Sequence, residues 1–391
     1  MATDDVVVVG AGIVGLSAAY YLAKAGASVT VVDRFDVAAG TSGACDGNVM
    51  LQSKEPGPML DIGLEASARY PGLIEELGED VEYERHGSLI LMESEDQVER
   101  MRPGIEATRA AGVEIRLLDH QAVADLQPEV AEHIVAGAYC PSDVTLNPLL
   151  MCFALARAAK RLGVKYRFGD PVREVVVTDG AAAGVRVGGD LLAAPNVVLA
   201  GGVWTPELLA PLGRTVPIKP RKGHIVVTEV CRPFVNTAMV SPSYLFDKHA
   251  HGGQRPAAGG GGVSVSFSLD QTVSGTMFIG SSREMGSDDV ATASAVLRRI
   301  AVNAARIVPC LADVRVIRSF AGLRPVTPDG RPLIGAIGPR GLHIAAGHEG
   351  DGIALGPITG ELVTELVLDG KASRDLTPFD PERFERAHET T

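Results

Sequence analysis

A chain of 391 residues, 46% hydrophobic and 21% charged, can bury a large core and is long enough for two structural units. A net charge of −12 with no basic run argues against a nucleic-acid surface, and no apolar run reaches the ~18 residues of a membrane-spanning helix. Five scattered cysteines (Cys45, Cys140, Cys152, Cys231, Cys310) lack CxxC or metal-ligand spacing, and the acids Asp4 and Asp5 stand where a signal peptide would be basic. We therefore expect a reducing, cytoplasmic setting and no metal site.

The first element is the most informative. Val6 to Val9 reads as a buried parallel strand that turns on Gly10, Gly12 and Gly15 into an apolar-periodic helix through Leu22. Gly10 permits the tight turn, Gly12 lets backbone approach a pyrophosphate, and Gly15 lets helix pack on strand. The helix start, with Ile13 and Val14, offers N–H groups to an anion. Gly26 stops the helix, Ser28 to Val32 forms a second strand, and Asp33 closes it where an acid meets a ribose diol. An acid here favours FAD or NAD over NADP.

A small-residue loop follows from Val37 to Asn48, of a length usually kept for function. Met59 to Leu77 has helical spacing interrupted by Pro71, and Gly87 to Met92 is a short strand. Glu95 to Ala111 is a polar helix broken at Pro103-Gly104, and Leu117 to Leu126 is a further helical segment. Pro148 to Leu162 is an apolar helix and Val164 to Phe168 a strand. Val172 to Val177 and Gly184 to Val187 form a hairpin closed by Thr178-Asp179-Gly180. Asn196 to Ala200 is a buried strand ending at Gly201-Gly202-Val203-Trp204, where the only tryptophan either packs or walls a cofactor site. Lys219 to Gly286 is strand-rich, with a glycine run at Gly252 to Gly262 that reads as a mobile loop. Ala291 to Ile307 is an amphipathic helix, Val314 to Phe320 a strand, and Ile358 to Leu368 a closing helix. Nucleotide-type segments at the start, middle and end imply two interleaved domains.

Four motifs in order give the chain a resemblance to the D-amino-acid oxidase and glycine oxidase superfamily of FAD-dependent oxidoreductases. They are the glycine fingerprint with Asp33 and Arg34, the loop Thr41-Ser42-Gly43-Ala44 through Gly47-Asn48-Val49, and Ala200-Gly201-Gly202-Val203-Trp204. The fourth pairs Gly322-Leu323-Arg324-Pro325 with Gly347-His348-Glu349-Gly350-Asp351-Gly352-Ile353. The resemblance implies an α/β fold in which a Rossmann-type FAD-binding domain interleaves with an α+β substrate domain on a mainly antiparallel sheet. The expected boundaries are 1–86, 145–217 and 318–375 for FAD, and 87–144 and 218–317 for substrate. It also implies non-covalent FAD, held by these residues and Val172. Gly322 stands where some relatives carry a flavin-linking cysteine.

On this resemblance Arg324, in a Gly-x-Arg-Pro turn, anchors a substrate carboxylate with two parallel hydrogen bonds. Tyr244 is the first candidate to complete the grip from the other domain, and His348 is a flavin contact or supports one. Arg221, Lys222 and His224 sit at a strand start and face either the site or water. Arg283 is expected to pair with Glu284 or backbone. The implied reaction is oxidation of an amino acid or secondary amine by hydride transfer to flavin, giving an imine. Oxidation of a 2-hydroxy acid and a non-catalytic electron-relay role in a complex remain open. Asp46 to Met50 and Lys54 to Pro58 look like the flavoprotein subunits of opine and D-hydroxyproline dehydrogenases, with hydrogen cyanide synthase a more distant neighbour. This implies a hetero-oligomer or homo-oligomer as partner state.

Overall fold

The computed structural model describes residues 3–249 and 262–385, so the expected mobile loop lies almost wholly outside the described residues. Two sheets organise the chain. The six-stranded sheet has the order Leu333–Ala336, Leu342–Ala346, Asn196–Leu199, Val6–Val9, Val29–Asp33 and Lys165–Phe168. All neighbours are parallel except the antiparallel edge pair Leu333–Ala336 with Leu342–Ala346. Val6–Val9 is central, which explains four consecutive valines: a parallel strand is buried on both faces and needs no polar side. Val6 and Val8 join one core, with helices Ile13–Lys24, Pro58–Leu77, Pro148–Arg161 and Gly352–Asp369; Val7 and Val9 join the other. That second core is covered by the three-stranded sheet Val172–Thr178, Ala181–Val187 and Asp190–Ala193, whose first turn has Asp179 and Gly180 at positive φ as its sequence predicts.

The eight-stranded sheet runs Val316–Val326, Lys219–Thr228, Met277–Met285, Val263–Gln271, Ala238–Val240, Ser88–Met92, Ala136–Cys140 and Arg116–Asp119. It is antiparallel apart from the pair Ala238–Val240 with Ser88–Met92. Helix Ser294–Ile307 buries Val296, Ile300, Ala304 and Ile307 against it, the spacing of one helix face. Among the described residues no helix is long and apolar enough to cross a membrane.

Several local expectations change. Pro71 and Pro103 do not break their helices, which run unbroken over Pro58–Leu77 and Glu95–Ala110. Leu117 and Leu118 lie in the edge strand Arg116–Asp119, and the helix is only His120–Leu126, capped by Asp119. Arg324 is not in a turn. Its strand continues through Gly322-Leu323-Arg324-Pro325 because Lys219–Thr228 pairs with it along its length. The closing helix begins at Gly352 rather than Ile358 and contains Pro357.

Pro357 has no N–H, so the Ile353 carbonyl loses its partner in the helix. The fully buried Tyr70 donates its hydroxyl to that carbonyl. A polar side chain from a second helix thus repairs the break. Tyr70→Phe should lower stability by about 1–3 kcal/mol, the cost of an orphaned buried acceptor, as read by denaturant titration.

Candidate active site

The carboxyl ends of the parallel strands, with the basic end of the eight-stranded sheet above them, line an open cleft. Such strand ends are where open α/β sheets bind ligands. Gly10 has φ +113°, and a Cβ there would overlap the Ala200 carbonyl oxygen. Only glycine fits. A Cβ at Gly12 would lie 3.0 Å from the Ser42 hydroxyl, on the cleft wall. Ser42 Oγ accepts from the Ile13 amide at 3.0 Å, at the start of helix Ile13–Lys24. Asp33 accepts from the Ala11 and Phe35 amides at 2.7 and 2.9 Å, which fixes its carboxylate at the strand end. Beside it the Arg34 guanidinium lies 4.7 Å over Trp204, whose ring meets Phe35 edge-on. Trp204 therefore both packs and lines the cleft.

The other end of the cleft is built by chain remote in sequence. The turn at 347–352 is tied down by the Glu349 amide, which donates to the Pro325 carbonyl at 3.0 Å. Glu349 has φ +51°, unusual for a side-chain residue, and its buried carboxylate pairs with Arg221. Burial pushes that carboxyl up, but Arg221, with Arg324, Arg283 and Lys248 beyond it, outweighs burial and holds it well below the usual range. His348 is buried with Nε2 3.0 Å from the Thr359 hydroxyl, and burial pushes its pKa down to about 4. It is neutral near pH 7. Tyr244 stands in the first turn of helix Pro242–Lys248, and burial lifts its phenol to about 12.

Arg324 is held by register. It lies opposite Arg221 in the antiparallel pair, and Gly322 lies opposite Gly223. A Cβ at Gly223 would overlap the Arg324 guanidinium, so that glycine makes its berth. Nη1 donates to the Ser282 carbonyl at 3.1 Å. The Thr41 hydroxyl donates to the Leu323 carbonyl at 2.6 Å, and a Cβ at Gly322 would come 2.7 Å from that of Ala44. These contacts press the Arg324 strand onto the loop that follows Asp33.

All the residues named as cofactor or substrate candidates line this cleft except five. Gly15 lies beneath it, where a Cβ would strike the Gly10 carbonyl. Gly47 closes on the Leu146 carbonyl, Asn48 and Val49 pair with Thr145 and Val144, and Val49 is core. Asp351 turns away and binds Lys54 and Lys248 at 2.7 and 3.0 Å in a buried triad. These five shape the walls from behind. Arg283 does not pair with Glu284. It is buried, stacks on Tyr244 and donates weakly to Ser266 at 3.4 Å. Lys222 instead binds Asp289, and His224 is buried on Ser282.

Sequence reasoning missed Gly223, Ile225 and Ser281 as lining residues, while Cys45 and Asp46 line the cleft within the loop it had singled out. The alternation Arg221, Gly223, Ile225 on one strand was the available signal, since period two puts them on one face. Burial lifts the Cys45 thiol to about 12, so it stays protonated.

The cleft suits a molecule with a pyrophosphate and a ribose diol at one end and a large planar group at the other. A model of the family "FAD dependent oxidoreductase" matches residues 5–366, and the chain belongs to that family. Its cofactor is FAD, and the glycine cradle at Gly10 and Gly12 with Asp33 fits that group. Among similar proteins, glycine oxidase of Geobacillus kaustophilus is 28% identical over 386 residues, covering 96% of each chain. Its crystal structure superposes with TM-score 0.88 over 98% of this chain and 99% of that one, at 26% identity. One of the subunits of opine oxidase from Agrobacterium tumefaciens is 28% identical over 97% of each chain. L-proline dehydrogenase from P. horikoshii has TM-score 0.85 at 26% identity, covering 98% of both.

Gly12→Val should give protein with no flavin absorbance after purification, because the side chain occupies the pyrophosphate approach. His348 binds a proton less readily folded than unfolded, where its pKa is near the ordinary 6.5. Its contribution is full above about pH 6.5 and is lost as pH falls towards 4, by roughly 3 kcal/mol in total. Acid denaturation of His348→Gln should show a shallower loss across that window than wild type.

Proposed function

We propose that this protein oxidises an amino acid or secondary amino acid, with the substrate carboxylate on Arg324. The observation that carries the reading is a guanidinium lining the flavin cleft, berthed by Gly223, with no carboxylate partner among the described residues. A carboxylate satisfies such a fork with two parallel bonds. The relatives named for glycine, opine and proline oxidation support the same class of substrate.

FAD, when bound, supplies the two-electron acceptor for a hydride from the carbon that bears the amine. Gly10, Gly12 and the amides of the first helix are assigned to the pyrophosphate, Asp33 to the ribose, and the turn at 347–352 to the planar ring. We take the cofactor as non-covalent, since Gly322 offers no nucleophile and Cys45 stays a thiol. Arg324 orients the substrate, and the Tyr244 phenol stays protonated as a donor. His348 is neutral and bonded to Thr359, and Glu349 is locked on Arg221, so neither removes a proton. The amine lone pair must therefore be free on the substrate itself, and positioning supplies the rate. The product is an imine, which water hydrolyses.

In the same reading the six-stranded sheet with its helices is the FAD-binding domain (1–86, 145–217 and 318–375). The eight-stranded sheet is the substrate domain (87–144 and 218–317), and its edge strand Val316–Val326 crosses the boundary at 318, so most of that strand belongs with the substrate domain rather than with the FAD-binding segment. The opine oxidase relative is one chain of a multi-subunit enzyme, which supports assembly of this protein with a second kind of chain.

Anaerobic titration should bleach the flavin with amino acids and not with the matching 2-hydroxy acids. Bleaching by hydroxy acids alone would overturn the reading. Arg324→Ala should keep its FAD and lose ~10²-fold or more in kcat/KM, through loss of a charge-assisted, orienting contact.

A further inference from the structure

The cleft face of the eight-stranded sheet continues past the cleft. On strand Lys219–Thr228, Gly223 and Ile225 line the cleft, and period two puts Val227 on the same face. Register sets Phe320 opposite Ile225, Phe278 and Arg318 opposite Val227, and Asp270 opposite Phe278. Directly opposed side chains share a face, so these residues extend the cleft wall outwards. The Phe278 and Phe320 rings meet edge to face with centroids 6.1 Å apart, and both are only half-buried. Val273, just beyond Gln271, is 59% exposed. Aromatic and aliphatic side chains left together in water mark a contact surface.

Next to the rings lies a small acidic pocket. Asp46, Glu82, Glu84 and Asp270 line it together with Phe278 and Val273, and none of its described lining residues is Lys, Arg or His. His86 stands beside it, 3.6 Å from Glu84 and 3.7 Å from Asp270, so one imidazole serves a pocket of four carboxylates. Asp270 is 5% exposed, and its Oδ1 has no hydrogen-bond partner. Burial holds its carboxyl above the usual range even with His86 near. A carboxylate taken out of water and left without a bonded partner is penalised, so a cation from outside completes the pocket. Asp46 also lines the flavin cleft, so pocket and cleft share a wall.

We infer that this face seats a second kind of chain, which sets an arginine or lysine among Asp46, Glu84 and Asp270 and packs apolar side chains on Phe278 and Phe320. The inference rests on the assembly reading above and gives it a surface. Charge decides the occupant. A second copy of this chain also carries −12, and an isologous contact centred here would bring one acidic pocket against another. A partner with a basic residue ringed by apolar ones matches both halves of the face, and aromatic rings beside a desolvated charge pair form the core of such contacts. The exposed Arg318, on the edge strand, receives an acid of the same partner at the rim. The seated chain stands beside the flavin cleft, against the wall that holds Asp46.

The test uses the tagged, FAD-loaded full chain purified from the cells that make it. The chain that accompanies it is separated at high salt and titrated back. Hydrogen exchange of the complex against this chain alone should show protection at 82–86, 270–278 and 316–320. Glu84→Lys and Phe278→Ala should each keep FAD and raise the Kd for the second chain about 30-fold or more, the range of an interface hot spot. The same charge change at exposed Glu106, on helix Glu95–Ala110, should leave the Kd within about threefold. Protection confined to another surface overturns the inference and leaves the assembly reading standing, even if the variants do not fold. So does an unchanged Kd in FAD-loaded Glu84→Lys. A chain found alone, or only with copies of itself, removes the assembly reading and the inference with it.

Discussion

A Cβ on Gly360 would come 2.5 Å from the Ser17 carbonyl carbon, and one on Gly356 would come 2.8 Å from Ile13 Cγ1. Helices Ile13–Lys24 and Gly352–Asp369 therefore cross with backbone nearly touching backbone. This contact determines where the site is. The first helix begins at the Gly10–Gly12 turn and the second at the turn after Asp351, so a close crossing near their starts brings both N-termini to one cleft. Two positive helix ends then face the same cleft. The chain between these helices, more than three hundred residues, supplies the remaining strands of the first sheet and the eight-stranded sheet above the cleft.

Charge in the site is arranged by burial rather than by abundance. The protein as a whole carries −12, yet Arg221, Arg283 and Arg324 gather beside the cleft, with Arg324 on its wall. Glu349 takes one of them and is itself held in a left-handed backbone conformation by the neighbouring strand. Behind it Asp351 draws in Lys54 and Lys248, from the loop after Leu51 and from the end of the helix that carries Tyr244. The turn at 347–352 is thus fastened to three separate segments by buried ion pairs. Removing one partner of such a pair leaves a charge without water, which is why these contacts position the turn firmly even where their net contribution to stability is small.

Much of the cofactor half was legible because each of its constraints is local. The four valines, the positive φ at Gly10 and the acid that ends the second strand lie within one short stretch of sequence, and each has a single steric or electrostatic reason. The loop Thr41 to Ala44 and the turn at 347–352 were legible only as motifs, through a resemblance. The helix boundaries at Pro71, Pro103 and Pro357 were misread for one cause. A proline removes one backbone bond, and whether the helix survives depends on what supplies the loss. For Ile353 it is Tyr70, nearly three hundred residues earlier in the chain. The arginine strand was misread as a turn for the same kind of reason, since its extended form comes from pairing with Lys219–Thr228.

By itself the sequence determined the nucleotide-binding strand, its glycine turn, the acid at 33 and the alternation of strand with helix, because steric exclusion and hydrophobic periodicity act over a few residues. Only the tertiary structure decided that Arg324 faces the cleft, that Glu349 belongs to Arg221, that Asp351 looks away, and that Arg283 lies behind Tyr244. Those are questions of register and of which buried charge meets which, and they are settled by pairings between strands and helices far apart in the chain.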